Sequence, residues 1–374
     1  MTDWSPFDHH AMQRALDQAA LGLYTTGENP RVGAVIARDG EILAEAYHRA
    51  PGEPHAEVLA MQGVNPSQLR GATCYVTLEP CAHQGKTGPC ADALIAAGVH
   101  RVVAAMEDPN PLVSGQGFAR LVAAGIVVEV GLLAADAEAL NPGFVKRMRT
   151  ERPWVWLKSA ASLDGKTAMA DGESKWITGT AARQDVQRLR ARCGAVVTGI
   201  ETVLYDDPRL TVRHAEAGID WPCDLPVRQP VRVILDSKGR LPKQGTLFDS
   251  EGPILWVTTI AVDHPQLQMG RITHWQAPAD AAGRIHLQAV MTHLASMGVN
   301  EVLVEAGSTL SGACITDGLV DRGVLYLAAK LLGPSGRSLY DVAPVQLADA
   351  PRLLISDCRL IGDDLRVEWT LRTQ

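Results

Sequence analysis

The sequence predicts two α/β domains joined in one chain of 374 residues. Three observations carry this reading. Short apolar strands alternate with amphipathic helices along the first 130 or so residues, and a second such alternation begins near Trp154. Between them lies "KRMRTERPW", residues 146 to 154, where charges cluster and Pro153 cannot continue a helix. The length itself favours two domains over one. We place the domains at residues 1–147 and 153–374.

The elements follow in order. Met12, Leu16, Ala19 and Ala20 recur at helical spacing within residues 10 to 21. "VGAVIA" and "EILAEAYH" flank Asp39–Gly40, a hairpin signal. Residues 55 to 62 read as a helix and "ATCYVTL" as a buried strand. "CADALIAAG" reads as a helix closed by Gly98, followed by the strand "RVVAAM". A helix near 115 to 124 and a strand near 126 to 130 complete the first pattern. Strands alternating in this way imply a sheet covered on both faces. The second pattern runs through "WVWLKSAASLDG", a helix near 180 to 193, "AVVTGI", "VRVILDS", "PILWVTT", a helix near 286 to 297, and "EVLVEAG". "GIDWPCDLPVRQP", with three prolines within nine residues, reads as an irregular surface excursion.

Composition narrows the class. Hydrophobic residues make up 46% and charged residues 21%, as in ordinary soluble proteins. The net charge is −7, without a long like-charged run, so neither a nucleic-acid nor an anionic-membrane surface is expected. No apolar stretch approaches the roughly 20 residues that span a bilayer, and the first residues lack a signal-peptide pattern. The seven Cys are scattered and odd in number, which argues against a disulfide framework and for a reducing, cytoplasmic setting.

The chemistry centres on "EPHAEVLAMQG" and "LEPCAHQGKTGPC". Catalytic zinc takes three protein ligands and a water. His55, Cys81 and Cys90 supply three, and Glu57 is left over to carry a proton. Residues two apart on an ideal helix point roughly 200° away from each other, so His55 must lie in an irregular first turn. Pro54 suits that start. Cys81 and Cys90 each follow a proline at an apparent helix start, where backbone N–H groups favour the thiolate. His-x-Glu alone is a weak signal, and the two Cys could be buried small hydrophobes. They could also belong to a structural zinc site with His83 as fourth ligand. The ordered set favours the catalytic reading, as in zinc deaminases.

At these residues the sequence resembles a known family. "NPRVGAVIARDG", "GEPHAEVLA", "YVTLEPCAHQGKTGPC" and "DPNP" resemble the deaminase half of the bifunctional riboflavin-biosynthesis deaminase/reductases. The long spacing between the cysteines departs from the Pro-Cys-x-x-Cys of tRNA adenosine and cytidine deaminases. The resemblance implies a cytidine-deaminase-like α/β/α fold, with zinc on His55, Cys81 and Cys90 and Glu57 as proton shuttle. It further implies that an amine on a diaminopyrimidinone ribosyl phosphate is replaced by oxygen. Asn29 would hydrogen-bond that substrate, though Asn-Pro also favours a plain turn. His48, His83 and Lys86 match family positions near the pyrimidine or its phosphate, and exposed loop residues of these types need no role.

"VWLKSAASLDGKTAMADGESKWITG" and "TGIETVLYDDPRLTVR" resemble the reductase half of the same family, a dihydrofolate-reductase-like domain. The residues independently offer an anion site. "EVLVEAGSTLSGACITDG" reads as a strand, a tight turn at Gly307 and a helix from about Thr309, whose N-terminus suits a phosphate. The family has Gly-Gly where this chain has Ala306-Gly307. By resemblance, NADPH contacts Ala160, Trp176, Thr202, Asp206 and Ser237, together with Gly307, Ser308, Thr309, Leu310, Ser311, Gly312 and Ala313. Substrate meets Ser174, Arg190, Leu210, Arg213 and Glu305. Arg190 and Arg213 can grip a phosphate, and Glu305 can bind sugar hydroxyls. Lys158 could protonate the sugar oxygen or simply snorkel to solvent, and Asp164 reads as a turn residue.

The expected protein is therefore a bifunctional deaminase and reductase using Zn2+ and NADPH on a phosphoribosyl pyrimidine. A nucleobase or RNA-editing deaminase with an accessory second domain is the competing enzyme. It would want a basic groove and stacking aromatics, yet only 5% of residues are aromatic. A binding module with structural zinc is the third reading and predicts four protein ligands. A homo-oligomer is expected, with the apolar "GVLYLAAKLLG", residues 323 to 333, at a subunit edge or in the core.

Overall fold

The apolar alternation of the first half becomes a five-stranded sheet: β1 (Gly33–Arg38), β2 (Glu41–Tyr47), β3 (Thr73–Val76), β4 (Arg101–Ala104) and β5 (Val127–Val130). The computed structural model describes residues 3–83 and 88–372, and Lys86 lies outside them. The chain divides into two compact units, Met1–Glu151 and Arg152–Gln374.

In the first unit the strand order is β2-β1-β3-β4-β5, with β1 antiparallel to both neighbours and β3, β4 and β5 parallel. The β1–β2 hairpin turns on Asp39 and Gly40, whose φ angles of 52° and 82° suit the tight turn their sequence signals. Period-two burial separates the faces. Ala34, Ile36, Cys74 and Val76 pack with Ala60, Leu94 and Leu121, from helices Ala56–Gln62, Cys90–Ala97 and Gln116–Ala123. Val35, Ala37, Tyr75 and Val103 face the opposite way, onto Met12, Ala15 and Leu16 of helix Pro6–Leu21 and onto Phe144 and Val145. Gly33 sits where a Cβ would lie 1.9 Å from the Ala15 carbonyl oxygen, so its missing side chain lets the helix backbone rest directly on β1.

The second unit adds β6 (Trp154–Ser162), β7 (Lys166–Ala168), β8 (Ala195–Gly199), β9 (Val231–Leu235), β10 (Ile254–Thr258), β11 (Thr273–Gln276), β12 (Glu301–Glu305), β13 (Arg322–Ala328), β14 (Arg337–Ser338), β15 (Leu353–Ile361) and β16 (Asp364–Leu371). Nine of these form one sheet in the order β11-β10-β9-β8-β12-β6-β13-β16-β15, while β7 and β14 pair separately. The strands from β11 to β13 run parallel and carry buried runs such as "ILWVT" and "EVLVE". Val155, Val197, Val302 and Val304 face helices Leu287–Ser296 and Ser308–Thr316. Trp156, Val196, Leu303 and Ile234 face helices Thr180–Arg192 and Ile200–Asp206. Both units are α/β, as the alternation requires.

Two placements resolve or correct the sequence reading. "GVLYLAAKLLG" supplies β13, an interior strand between β6 and β16, so its Val324 and Tyr326 are core residues. The edge on that side is instead β15, part of a C-terminal hairpin that the strand and turn signals did not reveal.

The candidate zinc centre and dinucleotide cleft

His55 occupies the N-cap of helix Ala56–Gln62 in extended backbone, with φ −73° and ψ 164°. This resolves the geometry that an ideal helix would forbid. His55 stands outside the helix while Glu57 sits in its first turn, and both belong to the same end. Cys90 begins helix Cys90–Ala97 after Pro89, as its spacing suggests. Cys81 departs from expectation, because its own segment is not helical. Its sulfur instead accepts the Cys90 backbone N–H at 3.3 Å, and its carbonyl accepts the Ala91 N–H at 3.1 Å. One helix start therefore serves both sulfurs.

Three ligand atoms converge. His55 Nδ1 lies 3.2 Å from Cys90 Sγ and 3.5 Å from Cys81 Sγ, and the three ligand atoms all lie within 4.8 Å of one another. A tetrahedral zinc with ordinary bond lengths wants N···S edges of about 3.5 Å, so the donor set fits zinc. Among the described residues no fourth His, Cys, Asp or Glu joins the group, and His83 is exposed. Charge is prepared for a cation. A hydrogen bond from Cys90 pulls the Cys81 thiol down to about 4, against the opposing effect of burial, and His55 and the Cys90 amide act in the same direction. The same shared proton pushes Cys90 up. Burial raises the Glu57 pKa, with His55 opposing.

Around this centre, His48 Nδ1 lies 3.2 Å from the Pro54 carbonyl oxygen and its Nε2 lies 2.9 Å from Asn29 Nδ2. The carbonyl demands the proton on Nδ1, so Nε2 accepts from the Asn29 amide and leaves Asn29 Oδ1 for a ligand. His48 is buried and its ring sits 5.3 Å from that of His55.

Glu79 is a residue the sequence reading passed over. Its buried carboxylate accepts four backbone N–H groups: Gly117 at 2.8 Å, Gly115 at 2.9 Å, Asp108 at 3.1 Å and Phe118 at 3.4 Å. Gly117 is packed so closely that a Cβ would lie 1.9 Å from the Pro80 carbonyl oxygen. The turn "DPNP" and helix Gln116–Ala123 are thus fastened to the segment that delivers Cys81. A hint was present: the N-cap of that helix is Gly115, which has no side chain to cap it.

In the second unit a cleft of about 1340 Å3 opens at the carboxyl ends of the parallel strands. It is lined by Ala160, Trp176, Thr202, Asp206, Ser237, Gly307, Ser308, Thr309, Leu310 and Ala313 from the cofactor expectation. Ser174, Arg190, Leu210, Arg213 and Glu305 from the substrate expectation line it as well. Ser311 and Gly312 do not. Helical periodicity turns them inward: Ser311 donates to the Ala306 carbonyl at 3.3 Å, and a Cβ on Gly312 would meet the Asp341 oxygen at 2.2 Å. The cleft fits a dinucleotide. Helix Ser308–Thr316 has Gly307 at its N-cap with no side-chain cap, and a Cβ there would meet nothing within 4 Å. Its free N–H groups therefore face an open cradle.

Arg190 and Glu305 hold each other, with Nε–Oε1 at 2.6 Å and Nη2–Oε2 at 3.0 Å, and Arg190 also donates to the Thr211 carbonyl. Sequence reading assigns Arg190 to a phosphate and Glu305 to sugar hydroxyls, and the structure adds that they form one ion-paired unit, with side chains only 11% and 10% exposed. Lys158 stands beside Glu305 in the β6–β12 register. Burial lowers its pKa, with Glu305 partly opposing, which eases loss of its proton. Arg213 pairs with Glu216 at 2.7 Å on the cleft rim. Asp164 is a turn residue, accepting from Ser162, Leu332 and Gly333.

Comparison with known proteins agrees with both sites. The cytidine and deoxycytidylate deaminase zinc-binding region matches residues 5–106, and the RibD C-terminal domain matches residues 153–367. The riboflavin biosynthesis protein RibD of Escherichia coli is 46% identical over 362 residues, covering 96% of this chain and 98% of that protein. The solved Acinetobacter baumannii RibD has 42% identity and a TM-score of 0.90, covering 98% of this chain and 99% of its own. A Thermotoga maritima diaminohydroxyphosphoribosylaminopyrimidine deaminase/5-amino-6-(5-phosphoribosylamino)uracil reductase has 32% identity and a TM-score of 0.85 over the same shares. With a zinc-type donor triad in one unit and a dinucleotide cleft in the other, the chain belongs to the RibD family of bifunctional riboflavin-biosynthesis deaminase/reductases.

Proposed function

We propose that the first unit hydrolyses the amine of 2,5-diamino-6-(5-phosphoribosylamino)pyrimidin-4(3H)-one and that the second reduces the ribosyl side chain of the product to ribityl. The convergence of His55, Cys81 and Cys90 beside the non-ligating Glu57 is the observation that carries the first step. Zinc held by those three side chains makes hydroxide available at neutral pH. Glu57 takes the proton from water and hands it to the departing nitrogen, and its buried position keeps that proton from bulk solvent. Asn29, oriented by His48, fixes the pyrimidine. Water enters, ammonia leaves, and the ring carbon gains a carbonyl.

In the reductase cleft NADPH supplies the hydride. The helix start at Gly307–Thr309 takes the cofactor's diphosphate, and Ala160, Trp176, Thr202, Asp206 and Ser237 flank its length. Lys158 donates a proton to the ribose ring oxygen as C1′ receives hydride. Ser174, Leu210, Arg213 and the Arg190–Glu305 pair hold the phosphoribosyl group.

We place the enzyme in the cytoplasm, acting without nucleic acid, a reading that the acidic net charge supports; among the described residues no helix is long and apolar enough to cross a membrane. Edge strand β15 supports self-association, since Leu353, Leu354, Ile355 and Leu360 are 44% to 75% exposed along it. Supplying the diaminopyrimidinone ribosyl phosphate with and without NADPH tests the whole reading. Ammonia should appear in both samples, and NADPH oxidation should follow deamination. Oxidation without ammonia release would contradict the order.

A further inference from the structure

The cleft of the second unit crosses several strands, and Asp280, Arg284 and His286 line its far corner. β6 carries Lys158, β12 ends at Glu305 and Gly307 follows it, while Ser237 follows β9. In the order β9-β8-β12-β6, Ser237 is three strand spacings from β6, about 14 Å at ~4.8 Å each. Gly307 lies between these ends. A dinucleotide with its diphosphate at Gly307 must send the nicotinamide toward Lys158 and the Arg190–Glu305 pair, where hydride meets sugar. Its adenosine ribose then points toward Ser237.

At that end the loop between β11 and helix Leu287–Ser296 folds over β9. Ser237 Oγ accepts the Ile285 N–H at 3.2 Å and pins the loop. Asp280 is consumed inside it. Its Oδ1 accepts the N–H groups of Ala282 at 2.8 Å and Arg284 at 2.9 Å, and its Oδ2 accepts Arg284 Nε at 3.0 Å. Both carboxylate oxygens are therefore occupied. Of the Arg284 guanidinium only Nε is used by these bonds, the side chain is 66% exposed, and the residue lines the cleft beside His286. An acid with free oxygens at an adenosine ribose would accept the 2′-hydroxyl of NAD, whereas an arginine there accommodates a 2′-phosphate. Here the acid is committed and the arginine presents its two terminal amino groups.

We propose that Arg284, aimed by Asp280 on the loop that Ser237 pins, binds the 2′-phosphomonoester of NADPH and sets the preference for NADPH over NADH. The proposal rests on the placement of the diphosphate at Gly307. Calorimetric titration of the full chain with NADPH, NADH, 2′,5′-ADP and 5′-AMP tests it without any turnover. One charge-assisted contact corresponds to roughly a 10- to 100-fold change in affinity. Arg284→Ala should weaken NADPH and 2′,5′-ADP by that factor and leave NADH and 5′-AMP unchanged. Arg284→Lys should retain part of the preference, as a point charge without the fork. Equal weakening of NADPH and NADH, or no weakening of either, would overturn the role of Arg284. Gly307→Val separates the two readings, because its side chain fills the open cradle. Joint loss of NADPH and NADH supports the diphosphate placement. Undiminished binding of both would remove that placement and this inference with it.

Discussion

Replacing Glu79 by Gln tests how the zinc-binding segment is held. The carboxylate accepts two N–H groups on each oxygen: Gly117 and Phe118 on Oε1, Asp108 and Gly115 on Oε2. An amide keeps one acceptor and turns an NH2 toward the other pair, so two bonds go. Hydrogen bonds to a charged group contribute about 1.5–3 kcal/mol each. The 3.4 Å contact to Phe118 is at the weak limit of distance, so the amide nitrogen should settle on that side. The loss is then about 2–4 kcal/mol of local stability, confined to the 107–118 segment and the Pro80–Cys81 stretch beneath it. Hydrogen exchange read by mass spectrometry is the direct assay. The amides of Gly117 and Phe118 should exchange roughly 30- to 1000-fold faster, since each 1.4 kcal/mol corresponds to about a factor of ten. A chelator should also withdraw zinc faster, because Cys81 loses its support. Wild-type exchange at Gly117 and Phe118 would refute the reasoning, even if activity fell for another cause.

Three further outcomes follow from the structure. Asp8 is buried, yet hydrogen bonds from Arg101, Ser5 and Tyr75 outweigh burial and hold its carboxylate well below the usual range. Its stabilisation is thus complete above the unfolded value of about 4 and fades as pH falls below it. Asp8→Asn should lower stability by about 2 kcal/mol at neutral pH, and the gap from wild type in unfolding scans should narrow toward about pH 3; a gap independent of pH would contradict this. Lys158→Met should cut NADPH-dependent reduction by roughly 100-fold or more while ammonia release continues at its normal rate, and equal loss of both would remove Lys158 from the reductase step. Ile355→Asp on exposed β15 should shift the sedimentation coefficient toward a monomer, whereas an unchanged value places self-association elsewhere.

Local chemistry was the legible part. The Asp39–Gly40 turn, the Gly98 cap with φ 75° and the uncapped start at Gly307 each follow from residue types within a few positions. The alternation of apolar residues in the first half correctly indicated a sheet covered on both faces. What the pattern could not disclose is nonlocal. The order of nine strands depends on pairings across the whole second unit, and the β15 edge is apolar without being buried. Cys81 looked like a second helix start because Pro-Cys reads the same in a loop. Arg190 and Glu305, 115 positions apart, gave no sign that each neutralises the other. Glu79 was passed over for the same reason, since its donors lie 29 to 39 positions downstream.

Metal content and ammonia release, measured together on Glu57→Gln and His55→Ala, test the central claim most directly. Glu57→Gln should bind one zinc per chain yet release ammonia at least about 100-fold more slowly, because the ligands remain and the proton carrier does not. His55→Ala should lose zinc and deamination together, with reduction of already deaminated substrate intact. Normal ammonia release by the zinc-loaded Glu57→Gln protein would contradict the account, as would full zinc retention after the loss of His55.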